Sequence, residues 1–176
     1  MSEAELLRLL DELRKLPHET EWVEFKEAND NYDFRKLGKY FSALANEANL
    51  KNQPCGWLVF GVVNKDRSLC GSQYRENPAE LDSLKHELAK QTTGGITFLD
   101  IHVVQHPAGR VVMFQIPPAL PGVPVAFQGH WYGRDGESLV ALGLHELETI
   151  RSQTQEESGT SPRARRDVGR REYRGT

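Results

Sequence analysis

Cysteine is nearly missing from this chain: Cys55 and Cys70 are the two it has, with neither CxxC spacing nor a histidine close by in sequence. That excludes a disulfide framework and predicts two small core residues, the usual fate of a free thiol. No apolar run approaches the ~18 residues of a membrane span, so no membrane partner is expected. The opening, "MSEAELLRLLDELRK", has acids from its third position and lacks the basic start and apolar block of a secretory signal, which predicts a cytoplasmic protein. A GxxxxGK(S/T) sequence is also absent, and with it any support for a P-loop nucleotide site. His102 and His106 would share a strand face, but no third ligand stands near them, so zinc is not expected.

What is present is an ordinary globular composition, 38% hydrophobic and 27% charged over 176 residues, enough for one domain with one core. The net charge of −3 is unevenly spread. Residues 159–176 hold six arginines against Asp167 and Glu172, a local balance of +4, which leaves −7 for residues 1–158. An acidic body cannot attract a polyanion through its overall field and needs a local basic patch to do so.

Leu6, Leu9, Leu10, Leu13 and Leu16 recur at helical spacing and predict a first helix that stops before Pro17. "TEWVEFKEA" alternates, with Val23 and Phe25 on a buried face and Trp22, Glu24 and Lys26 on an outward one. Asp33 can cap a second helix that buries Phe34, Leu37, Phe41, Leu44 and Ala48 and carries Arg35, Lys36 and Lys39 on its other side. "GWLVFGVV" predicts a central strand covered on both faces, and "AELDSLKHELAKQ" a third helix ending before Gly94. "ITFLDIHVVQH" and "RVVMFQIP" flank "PAG" as a hairpin. Short strands at "VAFQG" and "HWYGR" and a helix from about Leu144 to Gln153 complete the ordered part, residues 1–154. Residues 155–176 have the composition of a disordered Arg-rich tail, either a solvated end or a basic arm for nucleic acid.

"HETEWVEFKEA", "FSALANEAN", "GWLVFGVVNKDRSLCG" and "HWYGRDGESL", in that order, resemble the Schlafen-type AlbA-like DNA-binding domain family over about Pro17 to Arg151. The family pattern has an acid five positions before "EFK", a helix ending in S-A-x-A-N, a strand ending in G-V before an acid-containing turn, and a later arginine near a glycine. The resemblance implies an α+β fold, a mixed β-sheet packed with about four helices, and work on DNA or RNA. Bacterial members look like parts of transcription regulators or helicase-like proteins, and animal relatives include RNA-cleaving enzymes with a three-acid metal centre.

Two functions of different class follow. The first is a regulatory, non-catalytic nucleic-acid-binding domain in which Lys26, Arg35, Lys36, Lys39 and Arg134 contact the strand, with Arg134 serving a phosphate or an internal carboxylate and Trp131 and Tyr132 available for stacking on bases. The second is a Mn- or Mg-dependent endoribonuclease, for which the resemblance implies Glu19 and Glu24 as two of three carboxylates. The third position reads Asn64, with Asp66 two places later, so the metal set is Glu19, Glu24 and Asn64, or Asp66 as the third acid. A sheet edge that pairs with another copy, giving a homo-oligomer, is a weaker third expectation. Glu21 and Glu27 are expected to be solvated.

Overall fold

The computed structural model describes residues 1–154; the Arg-rich tail lies outside the described residues. Helix α1 (Glu3–Arg14) begins at Ser2, whose hydroxyl accepts from the Glu5 amide, and buries Leu6, Leu10 and Leu13 as the leucine spacing predicts. It covers one face of a four-stranded sheet. In that sheet β1 (Val23–Lys26) runs parallel to β2 (Gly56–Phe60), which pairs antiparallel with β4 (Gly109–Ile116), and β3 (Asp100–His106) closes the other side. Every residue of β2 is buried, which its unbroken apolar run predicts.

Register sorts the side chains into two layers. Val23 and Phe25 of β1 align with Trp57 and Val59 and pack with α1, while Glu24 and Lys26 align with Leu58 and Phe60 on the other face. Helix α2 (Phe34–Leu50) lies on that other face, with α3 (Pro78–Ala89) beside it. A second, three-stranded sheet of β5 (Ala126–Phe127), β6 (His130–Asp135) and β7 (Ser138–Ala141) and helix α4 (Leu144–Arg151) then close over α2. The predicted α+β architecture is the observed one.

Three local expectations are corrected. Helix α2 has no long solvent face: from Leu37 to Ala48 it is buried on nearly every side, because β5, β6 and α4 cover what the sequence pattern leaves polar. Trp22 precedes the strand and so escapes its alternation; its ring packs in the α1 layer beside Trp57. Cys55 is buried, but Cys70 is exposed in the turn that returns from β2.

Polar side chains of α2 take the place of a pairing strand for the second sheet. The Ser42 hydroxyl donates to the Val125 carbonyl at 2.7 Å and accepts from the Tyr132 amide at 3.0 Å. The Asn46 side chain accepts from the Val125 amide and donates to the carbonyls of Val125 and Tyr132, all within 3.0 Å. The S-A-x-A-N pattern is therefore a docking row, with alanines between the polar positions so that backbones can approach. Gly38 permits the closest approach, since a Cβ there would stand 2.1 Å from the Phe127 ring. Gly38→Ala is expected to destabilise the fold by roughly 1–3 kcal/mol through overpacking, read as a lowered midpoint in urea.

Candidate nucleic-acid interface

Strand β1 presents Glu24 and Lys26 to α2 and β6, and their environments differ. Glu24 is 3% exposed and closes on the Arg134 guanidinium at 2.6 Å. Arg134, whose side chain is 1% exposed, also reaches the Val23 carbonyl at 3.4 Å and lies over the Tyr40 ring. This is the internal-carboxylate alternative for Arg134, with no nitrogen open to a phosphate. Lys26 keeps partial exposure, 3.8 Å from Glu24 and 5.0 Å above the centre of the Tyr40 ring. Burial pushes the Glu24 carboxyl above its ordinary value, while the Arg134 and Lys26 charges pull it back.

Glu47 is a second buried acid, and sequence reasoning passed over it. It has no solvent exposure; its Oε2 accepts from the Arg134 amide at 2.9 Å, and its Oε1 has no hydrogen-bond partner. Lys51 stands 3.8 Å away and is shared with Glu21, which it meets at 3.0 Å. Glu21 also accepts from the Gly136 amide, so it is anchored rather than solvated; Glu27 is exposed as expected. Burial raises the Glu47 carboxyl to about 7, with Glu146 and Glu21 adding to the rise and Lys51 opposing it. The signal available in sequence was a glutamate inside a run of alanines on a helix otherwise made to be covered.

Three of the four residues proposed for metal chemistry are engaged elsewhere. Glu24 is committed to Arg134, and the Asp66 carboxylate accepts from the hydroxyl and amide of Ser68. The Asn64 amide donates to Glu137 at 2.9 Å, which ties the turn after β2 to the β6–β7 turn, and Glu19 is exposed near Gly136. Among the described residues, no group of three or more His, Cys, Asp or Glu side chains is arranged to hold a metal ion. Glu19, Glu24 and Asn64 or Asp66 thus do not fit a three-acid centre.

The cations of α2 are placed differently. Arg35 and Lys36 are exposed in its first turn, and Lys39 is half-buried, with its ammonium 5.8 Å above the centre of the Tyr132 ring. Among the described residues none of the three charged groups has a carboxylate within 4.0 Å, although the Asp33 carboxylate accepts from the Lys36 amide as the helix cap. Three cations near a helix N-terminus run against the helix dipole, and a cation–π contact at such a site is worth only ~0.5–1 kcal/mol, so folding gives little reason for them. By contrast a cavity of about 560 Å³ beyond the end of α2, lined by Asn49, Asn52, Gln53 and Pro118, has no charged side chain in its wall.

The family model "Schlafen, AlbA_2" matches residues 19–143, most of the chain. The chain belongs to this family. Among solved structures, the DIP2311 protein of Corynebacterium diphtheriae shares the fold at a TM-score of 0.57 and 16% identity, over 86% of this chain and 29% of its own. The chain therefore spans less than a third of that neighbour. The N-terminal domain of a RecG-related protein of Nitrosomonas europaea aligns at a TM-score of 0.44 and 22% identity, over 74% of this chain and 88% of its own. No curated protein matches the chain. Among the described residues no helix is long and apolar enough to cross a membrane.

Two stability measurements test this account of the AlbA_2 polar core. Arg134→Met leaves buried Glu24 with only the partly exposed Lys26, 3.8 Å away, as counter-charge and is expected to cost about 3–5 kcal/mol, with most of it recovered in the Glu24→Gln/Arg134→Met pair. Glu47 binds its proton more tightly folded than unfolded, so its contribution favours folding below about 4.5 and is lost as pH rises through about 7. Glu47→Gln is thus expected to melt higher than the parent at pH 8, by an amount worth roughly 1–3 kcal/mol, and to match it near pH 4.5.

Proposed function

We propose that this domain binds nucleic acid without cutting it, and that the first turns of α2 are where the phosphates sit. The observation that carries this is the set of Arg35, Lys36 and Lys39, gathered at the solvent-exposed end of α2 with no ion-pair partner for their side chains among the described residues. Lys26, held by Glu24 and Tyr40 on the neighbouring strand, borders the patch and adds field more than a free contact. An acidic body needs such a patch, since its summed charge repels a polyanion. Membership of the Schlafen, AlbA_2 family supports the same reading, because the resemblance to AlbA-like domains implies work on DNA or RNA. A regulatory role, a cytoplasmic location and self-association through the free edge of β3 are extensions of this proposal.

Cleavage is not part of this proposal, because two of the three acids it would use are committed, Glu24 to Arg134 and Asp66 to Ser68. The test is equilibrium binding of labelled DNA and RNA over a salt series. Replacing Arg35, Lys36 and Lys39 by alanine is expected to weaken binding across all sequences and to lower the slope of log K against log salt by about one per lost contact. An unchanged slope in the triple variant would remove α2 from the interface. Incubation with Mn²⁺ should leave the bound strands intact.

A further inference from the structure

We infer that the nucleic acid taken by this surface is an unpaired strand, whose bases stack on His130 and Tyr132 of β6 while Arg35 and Lys39 hold its phosphates; this rests on the binding proposal above. The two rings stand two residues apart on one face of β6, with centroids 6.5 Å apart. Tyr132 is the ring over which Lys39 extends its ammonium, and Arg35 lies one turn before Lys39 on the same side of α2. Cation and aromatic group therefore meet at one place, the arrangement by which single strands are held without base-pair recognition.

The local backbone keeps that place open. The β5–β6 hairpin turns through Gln128 and Gly129, both left-handed at φ 50° and 81°, and this two-residue turn sets His130 at the rim. A Cβ on Gly129 would meet nothing within 4 Å, and His130 is exposed. The hairpin is fixed to the cationic end of α2 by Phe127, which meets Phe34 edge-on at 5.9 Å and rests on Gly38. Trp131 is a poorer platform: it points to the opposite face of β6, where the Arg151 guanidinium lies 5.4 Å above its ring.

Charge points the same way. A duplex carries one phosphate per ~1.7 Å of axis, twice the density of one of its strands, and the acidic body repels the denser charge more strongly. Stacked base pairs also cover both faces of every base inside a duplex, so the exposed His130 ring and the half-buried Tyr132 ring gain nothing from it.

The test compares a labelled oligothymidylate, an oligouridylate and a duplex of equal length by fluorescence anisotropy, with the parent and with His130→Ala and Tyr132→Leu. The single strands are expected to bind about tenfold or more tightly than the duplex. Each substitution is expected to weaken single-strand binding by about 5- to 100-fold while leaving duplex binding unchanged. If Tyr132→Leu melts early, His130→Ala decides alone, since that side chain is exposed. A duplex bound as tightly as the single strands, or variants that weaken both alike, would overturn the inference and leave the binding proposal standing. Binding of neither would bring down the proposal, and the inference with it.

Discussion

The contact between Glu24 and Arg134 joins two sheets that share no hydrogen-bonded strand. Glu24 is carried by β1, at the edge of the four-stranded sheet, and Arg134 by β6 of the smaller one, and their side chains meet at 2.6 Å. Withdrawing two charges from water is expensive, and their attraction offsets it only with good geometry and further partners. Arg134 has part of that support in the Val23 carbonyl and the Tyr40 ring, while its buried Nε has no hydrogen-bond partner among the described residues. The return is specificity more than stability. If β1 slipped by one residue, Glu24 would leave Arg134 for the α1 layer among Leu10, Leu13 and Trp57, whose buried cation, Arg67, is already bonded to the carbonyls of Leu13 and Arg14, and that register is penalised.

Helix α2 is threaded through the ring that this pair closes, and its composition follows. A helix covered on both sides cannot use water to satisfy polar neighbours, so Ser42, Asn46 and Glu47 supply the hydrogen bonds that the backbone of β5 and β6 would otherwise lack. Burial from Leu37 to Ala48 leaves solvent only at the helix ends, which confines Arg35, Lys36 and Lys39 to the first two turns, beside the β5–β6 hairpin. The cationic patch and the aromatic hairpin are neighbours because the same docking row holds both.

Much of this frame was legible beforehand. The leucine stripe of α1, the Asp33 cap, the unbroken run of β2 and the β3–β4 hairpin are local signals, and each appears where its periodicity or turn residues put it. What was hidden depends on partners far away in sequence. Alternation correctly separated Glu24 and Lys26 from Val23 and Phe25, yet it could not reveal that the Glu24 side would be roofed by a strand more than a hundred residues later; the Arg134 contact to Val23 spans 111 positions. Glu47 was missed for the same reason, since its burial comes from β6. Trp22 went to the wrong layer because alternation was extended one residue past the true strand start.

These placements separate two kinds of residue within one motif set. Ser42, Asn46, Glu24 and Arg134, which carry the likeness to the family, face inward and hold the two sheets to α2. Sharing them fixes the frame and leaves the ligand open, because a buried ion pair and a row of helix-to-strand hydrogen bonds present nothing to a strand of nucleic acid. In the function proposed above, discrimination between partners belongs to side chains that stability does not require: three cations set against a helix dipole and a histidine at the rim of a two-residue turn. Those positions can change their chemistry without disturbing the core, so domains with this frame can differ in what they bind while folding alike.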